Sequence, residues 1–139
     1  MSVEIDIDYQ GELHCYATHG PSRQTLATDA PVDNGGKGQA FSPTDLVATA
    51  LGSCVMTIMG LVARRNGIDL TGMQAHVVKE MASAPVRRIQ KLEVTITMPK
   101  DRPLAAMDRA KLEQAARACP VKQSLHPDVS VELRFVDPA

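Results

Sequence analysis

The chain has 139 residues, 44% of them hydrophobic, with 15 Lys and Arg against 16 Asp and Glu for a formal charge of −1. That length suits one domain, expected over residues 1–139 and able to enclose a core. No basic cluster is dense enough to track a phosphate backbone, which argues against nucleic acid as a partner. Aromatic residues make up only 3% and tryptophan is absent, so aliphatic side chains and seven methionines must fill the interior, which favours helices packed on a sheet.

The N-terminal MSVEIDIDYQ has no basic region followed by an apolar run, and no stretch is expected to approach the ~20 apolar residues of a membrane span. These features predict a cytoplasmic protein with no membrane partner. Three cysteines, an odd number in such a setting, argue against a structural disulfide framework. Any disulfide here is expected to be catalytic or regulatory.

Along the chain, Val3, Ile5 and Ile7 alternate with Glu4, Asp6 and Asp8, the period of a strand with one face in the core. After Gln10-Gly11, Leu13, Cys15 and Ala17 alternate with polar neighbours and give its hairpin partner, ended by Gly20-Pro21. A third short strand spans 24–28, and APVDNGGKGQ, residues 30–39, reads as a loop.

Ser42-Pro43-Thr44-Asp45 is a helix start, with a serine cap, proline at the first position and an acid facing the positive end of the dipole. The helix should run to Asn66, with Gly67 as its left-handed stop. Leu46, Val47, Leu51, Val55, Ile58 and Leu61 fall on nearly all its faces, which predicts a central helix buried all round. Strands follow over 73–81 and 87–98, turned at Ala84-Pro85. A helix after Pro103 should carry Leu104, Met107, Leu112, Ala115 and Ala116 to the core. A short helix over 121–125 and a strand with Val129, Val131, Leu133 and Phe135 complete an α+β chain.

Three residues could carry thiol chemistry. Cys54 sits inside the apolar helix beside the small residues Gly52 and Ser53; by position alone it is equally a small core hydrophobe. Cys119, in Ala-Cys-Pro-Val, falls at the start of a short helix whose free amides favour a thiolate, unless that position is fortuitous. Cys15 reads as a core residue of its strand. The histidines 14, 19, 76 and 126 show no ligand spacing and no CxxC accompanies them, so no metal site is expected. Gly35-Gly36-Lys37-Gly38 lacks the upstream glycine and the following hydroxyl of a phosphate loop, and no GxSxG elbow occurs.

Ser42-Pro43-Thr44-Asp45-Leu46 running through Ala50-Leu51-Gly52-Ser53 to Cys54, then Ala118-Cys119-Pro120-Val121 some 65 positions later, resembles the OsmC/Ohr family over nearly the whole chain. The resemblance implies antiparallel sheets packed on a long central helix, in an intertwined homodimer with active sites at the subunit interface. It implies thiol-dependent reduction of organic hydroperoxides, with no cofactor. Cys54 would match the peroxidatic cysteine and Cys119 the resolving one, and a dithiol would reduce the disulfide that results.

A mid-helix thiol gains little from the dipole, so a cation must stabilise its anion. The family supplies an arginine from the N-terminal strand and loop region, matched here by Arg23, whose other reading is a solvated surface residue. Where peroxidase members carry a glutamate after the helix-start proline, this chain has Thr44, with Asp45 one residue on, about 100° around the helix. That departure keeps open an alternative: an OsmC-like protein that binds a small ligand or performs other thiol chemistry.

Overall fold

A computed structural model describes all 139 residues, Met1–Ala139. They form two compact units, residues 1–47 and 48–139, with one helix running from the first into the second.

The first unit holds the antiparallel sheet β1 (Ile5–Tyr9), β2 (His14–His19) and β3 (Thr25–Asp29), in that order. Ile5, Ile7 and Tyr9 stand opposite His19, Ala17 and Cys15, and Ala17 stands opposite Leu26, so alternation places these side chains on one face. That face is not in a core: Ile5, Ile7 and Tyr9 are 57%, 64% and 66% exposed. The alternation therefore identifies the strand correctly but not its burial. Leu13 belongs to the turn and not to β2. Glu12 and Leu13 both take positive φ, 56° and 60°, because the chain reverses within four residues.

Between β3 and the long helix lies a loop with one turn of 3-10 helix at Val32–Asn34. A buried carboxylate closes it. Asp29, 3% exposed, binds His14 Nδ1 at 2.5 Å through one oxygen and accepts the Gln39 amide at 3.0 Å through the other. The His14 bond holds the Asp29 carboxyl below the usual carboxylate range, with the Gln39 amide contributing.

Helix α1 (Pro43–Arg65) opens with a reciprocal cap. The Asp45 amide donates to Ser42 Oγ at 3.1 Å, and the Ser42 amide donates to Asp45 Oδ2 at 2.9 Å. It ends as the sequence predicts. Gly67, at φ 66°, donates to the Arg64 carbonyl, and Ile68 donates to that of Ala63 at 2.8 Å, the paired bonds of a Schellman stop.

The helix is not buried all round. Ala48, Leu51, Gly52, Val55, Met59 and Ala63 are buried, and their three- and four-residue spacing makes a single stripe. On the other flank Ala50, Ser53, Thr57 and Leu61 are exposed. The expectation that no stretch approaches a membrane span also needs correcting, since these 23 residues are long and apolar enough to cross one. In the fold the buried stripe packs into a protein core.

That core lies on the second sheet, β4 (Gln74–Ala82), β5 (Arg88–Thr97) and β6 (Ser130–Val136), with β5 central. Leu92, Val94 and Ile96 are fully buried, flanked in register by Lys79, Val77 and Ala75 on β4 and by Val131, Leu133 and Phe135 on β6. The opposite face is polar, with Lys91 Nζ 2.7 Å from Glu93 and 3.3 Å from Glu132. β4 pairs antiparallel with β5, but β6 pairs parallel, so the sheet is mixed and not antiparallel throughout. The cause is the crossover: α2 (Ala106–Arg117) and α3 (Pro120–Ser124) return the chain to the end where β5 began.

On α2, Leu112 and Ala116 are buried, four residues apart on one face. Met107, five residues before Leu112 and so about 140° around the helix, is 77% exposed and does not join the core.

Gly52 sets how closely α1 approaches β4. A Cβ built there would stand 2.8 Å from Val77 Cγ2, whereas one at Gly60 meets nothing within 4 Å. Gly52→Val should therefore cost about 1–3 kcal/mol through overpacking. Gly60→Ala should stabilise by about 0.5–1 kcal/mol through helix propensity. Urea denaturation of the two variants beside the parent checks both signs.

Candidate active site

The second unit brings two of the predicted residues together. Cys54 lies midway along α1, at the edge of the buried stripe between the directions of Leu51 and Val55 on one side and exposed Ser53 on the other. Its thiol is accordingly partly buried. Cys119 is fully buried and is the N-cap of α3. Extended backbone there, φ −64° and ψ 143°, points the side chain back over the first turn, where Sγ accepts the Lys122 amide at 3.4 Å. Pro120 at the first helical position fixes φ and needs no partner for an amide it lacks. The sequence reading of Cys-Pro as a helix start is thus correct, with the cysteine itself as the cap.

The two thiols are neighbours: both cysteines are free, and Cys54 lies close enough to Cys119 to influence its ionisation. Burial pushes the Cys119 thiol above its ordinary range, because a thiolate there would lose its hydration. The Lys122 amide opposes this by donating to the sulfur. Cys54 adds to the upward push, since a protonated Cys119 can donate to the Cys54 sulfur while two thiolates side by side would repel. Burial thus favours the protonated form of Cys119.

The surroundings of the pair are apolar. Leu51, Val55 and Leu112 are buried in the same cluster, with Ile58, Val121 and Leu125 packed against it. No charged residue occurs on α1 between Asp45 and Arg64.

The other two predicted site residues belong to the unit of residues 1–47. Arg23 is in the β2–β3 turn, exposed, with φ 62° and its amide donating to the His19 carbonyl at 2.8 Å. Left-handed backbone is uncommon for a residue with a Cβ, so the turn holds Arg23 in a mildly strained position. Asp45 is engaged in the α1 cap described above, and Thr44 Oγ1 lies 3.3 Å from Ser42 Oγ. Cys15 is half-buried on β2, opposite Tyr9 and Thr28. The His14–Asp29 couple was not anticipated. Its members are 15 positions apart on different strands, and nothing in either local pattern marks the pairing.

Comparison with known proteins places this arrangement. Residues 36–134 match the family model described as OsmC-like protein. A Psychrobacter arcticus 273-4 protein named as an osmotic stress induced and detoxification response protein is 43% identical, with 94% of this chain and 93% of that one covered and a TM-score of 0.88. Legionella pneumophila contributes an organic hydroperoxide resistance protein OsmC at 17% identity, covering 98% and 97%, with a TM-score of 0.77. An organic hydroperoxide resistance protein from Elizabethkingia anophelis is 13% identical over 99% and 97%, with a TM-score of 0.78. The last two likenesses bear on fold alone. No curated protein matches the chain. The family match runs through both cysteines and the helix joining the two units, and on that basis this chain belongs to the OsmC/Ohr family.

Proposed function

We propose that this protein is a thiol-dependent peroxidase that reduces organic hydroperoxides, with Cys54 peroxidatic and Cys119 resolving. The observation that carries the reading is the pairing of a partly exposed thiol with a fully buried neighbour whose ionisation burial holds back. The Cys54 thiolate attacks the terminal oxygen of ROOH, the O–O bond breaks, and the alkoxide leaves as ROH after taking a proton. Cys54 is left as sulfenic acid. Cys119 then attacks the sulfenic sulfur, a disulfide forms, and the hydroxyl leaves as water with the Cys119 proton. A dithiol returns two electrons and two protons to reset the pair. The apolar side chains around the cysteines favour an organic peroxide over hydrogen peroxide.

Arg23 is our candidate for the cation that stabilises the Cys54 thiolate, supported by its turn position and its match to the family arginine. Asp45 is the candidate carboxylate for orienting it, although two of its contacts already serve the helix cap. Mixing reduced protein with cumene hydroperoxide should consume two thiols rapidly and link Cys54 to Cys119, more slowly with hydrogen peroxide. Cys119→Ser should stop at the sulfenic acid, trapped by dimedone. Unreacted thiols in folded protein would sink the proposal and favour the ligand-binding alternative.

The reading also implies a homodimer in a reducing, cytoplasmic compartment. The exposed apolar face of β1 supports the dimer, since a three-stranded sheet needs one face covered. Sedimentation equilibrium should give twice the 15.0 kDa chain mass. Ile7→Glu should shift that mass towards the monomer.

Stability should depend on alkaline pH through Cys119. Its folded pKa is raised, so its contribution is complete below the unfolded thiol value of about 8.5 and fades as pH rises through the folded value. Reduced protein should lose stability progressively above about pH 8.5. Cys119→Ser should lose less over the same range, as urea midpoints at pH 7 to 10 would show.

A further inference from the structure

We infer that the reductant attacks the disulfide at Cys54, forming its mixed disulfide there and expelling Cys119. The inference rests on the proposed pairing of these cysteines in one disulfide, but not on peroxide being the oxidant.

A thiolate displaces one sulfur of a disulfide by approaching along the S–S axis from the side opposite the leaving sulfur. For attack on Cys54 that approach comes from the side away from Cys119, and Cys54 is the partly exposed member, with exposed Ser53 and Ala50 on the same helix flank. For attack on Cys119 the approach must come from the side away from Cys54. Cys119 is 0% exposed, and its sulfur is covered by the first turn of α3. An incoming thiol could reach it only by displacing residues that bury it.

The leaving group is also prepared. When the S–S bond breaks, its electron pair stays on Cys119 Sγ, where the Lys122 amide already donates at 3.4 Å. Burial then favours capture of a proton, and the thiol is restored. The reductant's second thiol, as its thiolate, attacks the reductant's own sulfur in the mixed disulfide. Cys54 leaves as thiolate, the reductant departs as an internal disulfide, and two electrons have passed to the protein. Cys119 is thus never bonded to anything but Cys54.

The test oxidises the full chain with diamide, which makes the disulfide without peroxide. It then adds limiting 2-mercaptoethanol, quenches in acid and maps the adduct by peptide mass. The expected result is adduct on Cys54 over Cys119 by roughly tenfold or more, with the preference lost when the same exchange is run in guanidinium. Adduct mainly on Cys119, equal adduct on both, a preference that survives unfolding, or failure of diamide to link the pair would each overturn the inference. A disulfide that diamide forms but cumene hydroperoxide does not would leave this exchange intact and remove the peroxidase reading instead.

Discussion

The buried stripe of α1 against the face of β4, β5 and β6 is the contact on which the rest of the second unit depends. Leu51, Val55 and Met59 fill it, and Gly52 lets the helix come close to Val77. Because a helix advances about 100° per residue, once Leu51 and Val55 face the sheet the direction of Cys54 is decided. It must stand at the margin of the stripe, half in the core and half out. Moving the helix outward by the width of one methyl group would change where that sulfur lies relative to Cys119, so the core packing and the site geometry are one constraint.

The two cysteines reach the same place by different local means. Cys54 is carried by the middle of a long regular helix, whose rigidity comes from packing. Cys119 is carried by the cap of a five-residue helix, whose position comes from the crossover between β5 and β6. The parallel pairing of β6 thus matters to the geometry of the cysteine pair. It requires the α2–α3 segment to cross the sheet, and that crossing lays Leu112, Ala116 and Cys119 over the same cluster as α1.

Much of this was legible in the sequence, for identifiable reasons. The α1 ends were written in Ser42-Pro43 and Gly67, and Cys119-Pro120 announced α3, because caps depend on residues within a few positions of one another. The strands were legible from alternation. What alternation cannot give is which face is covered, and so Ile5 and Ile7 proved exposed and α1 proved only half enclosed. Whether β6 pairs parallel or antiparallel depends on how the chain returns, a property of the connection and not of the strand. The cysteine pairing was available from family resemblance. The proximity itself, and the difference in burial between the two members, required coordinates, since no local pattern couples residues 65 positions apart.

The capping bond to Cys119 has an evolutionary side. Serine is among the best helix caps, and it is almost the same shape as cysteine. A chain with serine at 119 would keep an acceptor for the Lys122 amide, so α3 would persist, at the cost of a hydroxyl set among apolar side chains. It would have lost only the second thiol of the pair. Because cysteine and serine codons differ by a single base, one point mutation separates a two-thiol protein of this fold from a one-thiol protein with nearly identical architecture. Stability would oppose that change only through the buried hydroxyl, a cost of about 1–3 kcal/mol.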